Sequence, residues 1–527
     1  MESLLVLGTL ILLVIPIAVI YFLTSNAGLK RRVILGVSFG LVALTSILTF
    51  YSTVSLFHHD LAGALLTGAL AIELGADFDL YSAYFPPIEK YWFMLAAKLA
   101  TILEINAAKI LVVQTYIAVL ISVVLAYVVR QRTVGAGLLF FAIPLVVLLL
   151  LPILFKNIFG LREHLVVLGL WPYLVLRAAG DNAAKVGLGL RVFLGVWLGF
   201  TLLFKYFYSI VVFLVEATDA LVSRRFVLLF RIECIVAGSI VFAYLFVWLV
   251  LDPAQREVIG AMQSSISANV LSLTNSSKIA FSYLAFGLPI WLILARLRIA
   301  PRLNALGLAC LIGALIVAGL QGRWYTHHLF PIIMAFVSWW WLMSSNVPKW
   351  AHVLVAAALV TPIRDEFSST KFYATMTSDV RAVLTEQEIS LANQRVALLN
   401  QHPSPFNQVI LSDGGQRWSP QVNISYVSSQ LSDFDRPENK GKEPPPLSLD
   451  DPGQQFLHDR WLTLWESEPP DVLILDTSLQ WPLRYVRFQW EQILSEDVRF
   501  QRILAQFEPA FTHKSDSVHF TYYVRKD

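Results

Sequence analysis

The stretch LRVFLGVWLGFTLLFKYFYSIVVFLVEATDALV, residues 190–222, decides what kind of fold this chain adopts. It contains two apolar runs, 190–204 and 206–222, which are separated by Lys205 and its aromatic neighbours. About 20 apolar residues are needed to cross the hydrocarbon core of a bilayer, and each run is shorter than that. We therefore predict two short membrane helices that meet near Lys205.

Apolar runs fill most of the chain up to about residue 363 and become rare beyond it. Of the 527 residues, 56% are hydrophobic and 15% are charged, whereas about a quarter of the residues of a soluble protein are charged. We predict a polytopic α-helical membrane domain over residues 1–363 and a small soluble α/β domain over residues 364–527. The net charge of +3 is small, and the basic residues form short clusters between apolar runs. This pattern indicates membrane topology and not nucleic-acid binding.

Clusters of lysine and arginine, which mark cytoplasmic loops, separate about twelve predicted spans. The spans are roughly 3–24, 33–56, 106–129, 134–153, 164–179, 190–204, 206–222, 232–251, 279–297, 304–320, 329–345 and 350–363. The segments placed away from the cytoplasm are 57–105, 154–163, 252–278, 321–328 and the soluble domain. In the first outer loop, LAGALLTGALAIEL (61–74) and PPIEKYWFMLAAKLATIL (86–103) are amphipathic and predict two helices along the membrane interface.

The soluble domain has its own pattern. VILSD (409–413), DVLILD (471–476) and FTYYV (520–524) predict short buried strands. The stretch YVRFQWEQILSEDVRFQRILAQF (485–507) predicts a helix. Strands and helix together predict a small α/β domain on the outer side of the membrane.

Ionisable side chains at the ends of membrane helices are costly, so each such group on the outer side is a candidate for function. The first group, LFHHDLAG (56–63), contains His58, His59 and Asp60. Asp60 is a candidate general base, and the histidines are candidates for binding a divalent cation or a phosphate. The alternative is a polar helix cap that lies in the headgroup layer.

The second group is LREHL (161–165), at the start of a predicted span. Arg162, Glu163 and His164 are consecutive, so they fan around the helix and at most two of them face one cavity. The alternative to a functional site is an arginine–glutamate pair that anchors the helix end.

The third group is Lys205, at the junction of the two short helices. A lysine there can bind an anionic phosphate as a point charge. The alternative is a lysine that extends its ammonium to the interface.

The fourth group, QGRWYTHHLFP (321–331), places Arg323, Tyr325, His327 and His328 just before a predicted span. Arginine suits bidentate recognition of phosphate, and Tyr325 can stack on a sugar or hold a lipid chain. The alternative is an aromatic belt with an interfacial arginine.

Together the four groups set carboxylates and cations within apolar walls. This is the chemistry of transferring a group from a lipid-linked phosphate, because cations neutralise the leaving phosphate and a carboxylate takes the proton of the attacking hydroxyl. The sequence has no GxxxxGK[ST] loop, as expected for a lipid phosphate donor and not a nucleotide donor.

The order of these features resembles the integral-membrane glycosyltransferases of the GT-C superfamily, whose members include the protein O-mannosyltransferases and the aminoarabinose transferase of lipid A. The resemblance covers roughly residues 33–345. The matching residues are Asp60, Tyr81 or Tyr84, Pro86 with Pro87, Arg162 with Glu163, Gly195, Gly199 and Lys205, and the segment from Arg323 to Pro331.

The resemblance implies an inverting transfer of a sugar from a polyprenyl-phosphate donor to a lipid, polysaccharide or protein acceptor. It places the reaction on the periplasmic face of a bacterial cytoplasmic membrane, with Asp60 as general base. Glu163 is our first candidate for a second catalytic acid, and Asp77, Asp79 and Glu89 are the alternatives.

The remaining roles combine the chemistry of these residues with the resemblance. Residues expected at the donor phosphate are Lys205, Arg323, Arg162 and His328, and residues expected at the substrate are Tyr81, Tyr84, Glu89, His164, Tyr325 and His327. A divalent cation, Mg²⁺ or Mn²⁺, is an option for which His58 and His59 are the helpers.

A transporter or flippase for a lipid-linked or anionic substrate is the alternative function, since charges and broken helices also line substrate pathways. Transporters commonly carry inverted repeats, and the sequence shows no convincing internal repeat. A scaffold protein whose tail recruits partners is a third reading, but a scaffold has no need of a polar cluster over a membrane cavity.

The topology is testable with reporter fusions. A reporter joined after Lys30 and one inserted within 57–105 are expected to lie on opposite sides of the membrane, because the basic cluster holds the first position in the cytoplasm. Compartment-specific reporter activity measures this. The same side for both fusions would overturn the predicted topology.

Overall fold

The computed structural model describes residues 59–74, 87–137, 139–154, 158–251, 296, 300–321, 326–343, 375–400, 405–419, 437–440, 442, 452–478, 490, 497–515 and 518–526. The chain divides into two compact units. The first, here the membrane unit, comprises Met1–Leu56, Val112–Ala243 and Leu273–Thr370. The second, here the tail unit, comprises Phe57–Leu111, Tyr244–Ser272 and Lys371–Asp527.

Ten α-helices lie between residues 59 and 343 within the described part of the chain. They are α1 (His59–Leu74), α2 (Pro87–Leu103), α3 (Ala107–Thr133), α4 (Leu139–Leu154), α5 (Arg162–Ala178), α6 (Leu188–Leu202), α7 (Ser209–Ser223), α8 (Ile232–Phe246), α9 (Pro301–Gln321) and α10 (Thr326–Met343). By length and composition, four helical segments in the described part of the chain can cross a membrane: Ala107–Thr133, Leu188–Ser223, Ile232–Val250 and Pro301–Gln321. The prediction of a polytopic helical protein is confirmed at this level, and the count of twelve spans stays a prediction.

The predicted break at Lys205 is confirmed. Helix α6 ends at Leu202, a 3₁₀ turn runs over Leu203–Tyr208, and α7 begins at Ser209. Lys205 itself has φ −148° and ψ 78°, outside the helical region. Two short helices therefore meet at the lysine, as the two apolar runs predict.

Two glycines let α6 pack closely on α8. A Cβ atom on Gly195 would lie 2.7 Å from the carbonyl oxygen of Glu233, and one on Gly199 would lie 3.0 Å from the Cβ of Ile240. The glycines are four residues apart and therefore share one helix face. Small residues on such a face let two membrane helices approach each other, and this contact brings Glu233 into the bundle.

A buried network of charges joins one end of five helices in the membrane unit. Its members are Arg177 in α5, Arg191 in α6, Glu216 and Asp219 in α7, Glu233 in α8 with Arg231 directly before it, and Arg302 in α9. Arg177 pairs with Glu233 and lies 3.4 Å from Glu216. Both partners of the Arg177–Glu233 pair are 1% exposed.

The other members of this network are also paired. Arg231 contacts Glu216 and Asp219 at 2.8 Å each, and Arg302 contacts Asp219 at 2.7 Å. Arg191 contacts Glu233 at 2.8 Å. Since removal of one member of a buried pair leaves an uncompensated charge, every helix in the network depends on the others for its position.

The tail unit contains a five-stranded mixed sheet with strand order β2-β1-β3-β5-β4. The strands are β1 (Arg395–Asn400), β2 (Gln416–Arg417), β3 (Val472–Asp476), β4 (Phe507–Lys514) and β5 (His519–Arg525). β1 pairs in parallel with β2 and β3, and β5 pairs antiparallel with β3 and β4. The strands predicted at 471–476 and 520–524 are confirmed as β3 and β5.

Four helices accompany this sheet within the described residues: α11 (residues 375–386), α12 (Phe406–Asp413), α13 (Pro452–Ser467) and α14 (Val498–Leu504). The predicted strand at 409–413 is wrong, because these residues form the second half of α12. Pro405 is accommodated before the first turn, and Gly414 ends the helix at φ 78°. Of the helix predicted at 485–507, α14 forms the described portion, and Phe507 already belongs to β4.

The buried network predicts a sharp effect of one neutral substitution. Glu233→Gln should lower the free energy of unfolding by about 3–5 kcal/mol, because Arg177 and Arg191 lose their shared counter-charge. Denaturant unfolding of the purified protein in detergent measures this.

The matched control for this variant is Asp181→Asn. Asp181 is 98% exposed and contacts Arg225 at 3.1 Å, and an exposed pair contributes little to stability. Equal unfolding midpoints for the two variants would contradict a structural role of the network.

Candidate functional site

Four polar residues from separate elements meet within the membrane unit. The ammonium of Lys205 forms an ion pair with the carboxylate of Glu163 and donates a 2.6 Å hydrogen bond to the amide oxygen of Gln321. The Nε2 atom of His328 lies 3.6 Å from the same Glu163 carboxylate. The sequence predicts three of these residues, and the structure brings those three together.

The local structure explains how the four side chains converge. Glu163 lies in the first turn of α5, Lys205 in the break between α6 and α7, Gln321 at the last position of α9, and His328 in the first turn of α10. The break turns the lysine out of regular helix geometry. The site is therefore built from helix ends, where side chains from different helices can reach one point.

The site is almost completely shielded from solvent. Glu163 is 0% exposed, His328 4% and Lys205 6%. The walls are aromatic and aliphatic, with Phe204 and Tyr208 fully buried beside the lysine. An ammonium and a carboxylate in such surroundings attract each other far more strongly than in water, because the local dielectric constant is low.

Tyr208 and Gln321 are site residues that the sequence interpretation missed. The Tyr208 side chain lies close enough to Glu163 and Gln321 to interact with both. The Gln321 amide is itself held by a 3.3 Å hydrogen bond from its Nε2 to the carbonyl oxygen of Val317. The sequence does single out Gln321 as the first polar residue after the apolar run of α9. No local pattern, however, shows that its amide oxygen accepts a hydrogen bond from Lys205.

His164 is held by the protein at both ring nitrogens. The backbone N–H of Gly160 donates to Nδ1 at 3.1 Å, and Nε2 lies 3.0 Å from the carbonyl oxygen of Leu148. The ring is 0% exposed and packs against Phe159 and Phe330. In this arrangement His164 supports the turn before α5, and neither ring nitrogen is available for the predicted substrate contact.

Other predicted residues lie in the tail unit. Asp60 and His59 have their backbones in the first turn of α1, and their side chains lie outside the described residues. Glu89 is 2% exposed in the first turn of α2, next to Ile88, whose N–H donates to the hydroxyl of Tyr244 at 3.1 Å. The carboxylate predicted as a substrate contact or second acid is therefore buried at a helix start.

The remaining predicted residues are outside the described part of the chain or at its margin. Those outside are His58, Asp77, Asp79, Tyr81, Tyr84, Arg323 and Tyr325, and the side chain of His327. Arg162, the first residue of α5, is half-buried. Among the described residues no three His, Cys, Asp or Glu side chains lie together so that they could hold a metal ion. The cation option at His58 and His59 stays a prediction.

Neither the family models nor the curated protein sequences match this chain. Among solved structures, the chain is similar to the crystal structure of ArnT from Cupriavidus metallidurans bound to undecaprenyl phosphate. The TM-score is 0.48 at 11% identity, over 92% of this chain and 97% of that one. Membership of the GT-C superfamily stays a prediction.

The Lys205–Glu163 pair predicts non-additive stability effects. Lys205→Met should lower the free energy of unfolding by about 3–5 kcal/mol, because it leaves the Glu163 carboxylate buried without its cation. Adding Glu163→Gln should restore part of this loss, with a coupling energy of about 1–3 kcal/mol. Unfolding of the two single variants and the double variant measures the coupling, and strictly additive effects would contradict the pairing.

Proposed function

We propose that this protein is a membrane glycosyltransferase that moves a sugar from a polyprenyl-phosphate donor to an acceptor hydroxyl on the outer face of the membrane. The acceptor is a lipid, a polysaccharide or a protein. The observation that carries the proposal is the buried cluster of Lys205, Glu163, Gln321 and His328 at the break in a membrane-spanning segment. A buried, paired lysine at such a break fits the recognition of an anionic group that arrives from the lipid phase.

The donor phosphate is assigned to Lys205 and His328. A lysine ammonium is a compact charge on a flexible stem, so it can exchange part of its contact with Glu163 for a phosphate oxygen. Gln321 is neutral and keeps holding the lysine while this exchange occurs. His328, 3.6 Å from the carboxylate, can donate to the same phosphate. Arg162 and Arg323 remain further candidates for this role.

Asp60 acts as the general base in the proposed reaction. The acceptor oxygen attacks the anomeric carbon, the bond from that carbon to the phosphate oxygen breaks, and its electron pair stays on the phosphate. The proton of the acceptor hydroxyl passes to the Asp60 carboxylate. The leaving phosphate gains one negative charge as the bond breaks, and the Lys205 ammonium together with a hydrogen bond from His328 stabilises that charge. Single displacement inverts the configuration of the sugar.

The lipid chain of the donor has an apolar groove available within the membrane unit. This groove is lined by Pro144, Leu148, Trp171, Met334, Trp340 and Trp341 among others. A smaller apolar pocket beside it is lined by Tyr208 and Pro331, close in sequence to Lys205 and His328. Because the isoprene units pass from the bilayer into an equally apolar groove, their binding there depends on van der Waals packing and not on removal of apolar surface from water.

The test is to incubate the purified protein with a panel of polyprenyl-phosphate sugars and to measure donor binding and sugar release or transfer. Asp60→Asn is expected to lower the transfer rate by about 10²–10⁴-fold, since it removes the general base. Donor binding should be unchanged, because the phosphate contacts are made elsewhere. An active Asp60→Asn enzyme would refute the assignment of the base.

The phosphate contact needs its own variant. In the Lys205→Met/Glu163→Gln background, which keeps the buried site neutral, the Kd for donor is expected to rise about 10–100-fold from loss of a charge-assisted contact. Lys185→Met is the matched control, because Lys185 is exposed in the 3₁₀ turn Gly180–Lys185. Unaltered donor affinity in the double variant would contradict the assignment of the phosphate contact to Lys205. Movement of a solute without chemistry would contradict the proposed function.

A further inference from the structure

Helix α1, which carries Asp60 in its first turn, is packed into the hydrophobic core of the tail unit. Leu70 is 4% exposed and belongs to one cluster with Trp418, Trp461, Trp465 and Leu473. Leu74, at the end of the same helix, packs against this cluster. Burying a leucine contributes about 1.5–3 kcal/mol, so the tail core holds the C-terminal half of α1.

Ion pairs lie at the same end of α1. The Arg395 guanidinium, at the start of β1, lies 3.9 Å from Glu73 and 3.4 Å from Glu468. Its central carbon lies 4.4 Å from the ring centre of Trp418. These pairs are partly exposed and add little stability alone, but they orient the last turn of α1 against the sheet.

The other side of α1 is fixed by α2. A Cβ atom on Gly68 would lie 3.0 Å from the backbone nitrogen of Met94 and 3.1 Å from the Cβ of Phe93, so the two helices are in close backbone contact. The turn after α2 is joined to the tail as well, since the Asn106 side chain donates to the carbonyl oxygen of Leu411 at 3.3 Å. Both helices of the first outer loop are thus part of the tail unit.

We propose that the tryptophan-rich core of the tail unit positions helix α1, and with it Asp60. Leu70 is the residue of α1 through which this core acts. A continuous helix rises about 1.5 Å per residue, so Asp60 and Leu70 lie about 15 Å apart on one rigid element. A small tilt at the anchored end therefore moves the carboxylate, and a displacement of about 1 Å can cost about 10²-fold in rate. The proposal rests on the proposed function for the role of Asp60.

The test uses the full-length protein. Leu70→Asn places an amide in the tryptophan core, and it is expected to raise amide hydrogen exchange over residues 61–66 and to lower kcat for sugar transfer by about tenfold or more. The KM for the donor should stay within about twofold, because donor binding is assigned to the membrane unit. Leu70→Met conserves side-chain volume and should restore both readouts.

A second variant separates positioning from damage to α1 itself. Leu473→Ala lies in β3, at 0% exposure, and changes no residue of α1, yet it should raise exchange over residues 61–66 in the same way. The control is Leu306→Ala, also at 0% exposure but in α9 of the membrane unit. It should lower stability without altering exchange in α1.

The outcomes decide the proposal and the proposed function separately. Unchanged exchange in α1 of the Leu473→Ala protein, or wild-type kcat in folded Leu70→Asn protein, would overturn the positioning role. A wild-type protein without sugar transfer would refute the proposed function. In that case the exchange measurements would still show whether the tail holds α1.

Discussion

The ion pair between Arg177 and Glu233 is the interaction on which the membrane unit depends most. Both side chains are 1% exposed, and neither charge is tolerable in an apolar bundle without the other. Each partner is shared, since Glu233 also binds Arg191 and Arg177 also approaches Glu216. The network that results is not a strong source of net stability, because desolvation offsets most of the attraction. The network restricts helix positions, because a helix that moved away from its partners would leave a buried charge without its counter-charge.

This constraint reaches the candidate site through the helices themselves. Helix α5 carries Glu163 at its start and Arg177 near its end, and α9 carries Arg302 at its start and Gln321 at its end. Each helix holds a member of the ion network at one end and a member of the site at the other, about 20–28 Å away. Because helices transmit position along their length, pairing at one end limits where Glu163 and Gln321 can lie. Lys205 then completes the site from the break between α6 and α7.

The tail unit determines how helices α1 and α2 are held. Helices α1 and α2 are short, and α1 is buried continuously from Leu61 to Gly68. A helix this short is not stable unless its apolar surface is covered. The tryptophan-rich core covers part of α1, and Gly68 brings α1 against the backbone of α2. The acidic first turn of α1 therefore belongs to an element that is packed at its other end. The core of the tail unit thereby fixes the orientation of the helix that carries Asp60.

The sequence by itself determined the features that depend on local pattern. The apolar runs on either side of Lys205, the presence of helices α1 and α2, and the strands β3 and β5 all follow from hydrophobic pattern and length. The amphipathic pattern predicted for α1 is wrong, because its residues from Leu61 to Gly68 are all buried. The same reasoning predicted a strand at 409–413, where Pro405 and Gly414 favour a helix, because a short apolar run does not distinguish the two.

Only the tertiary structure decided which polar residues meet. No local sequence pattern shows that Gln321 accepts a hydrogen bond from Lys205 or that both ring nitrogens of His164 contact the protein backbone. None shows that Leu70 packs in the core of the tail unit. The basic cluster from Arg177 to Arg191, which the sequence presents as a marker of the cytoplasmic side, also supplies Arg177 and Arg191 to the ion network. Its acidic partners lie in α7 and α8, and pairing between residues distant in the chain is set by packing and not by local period.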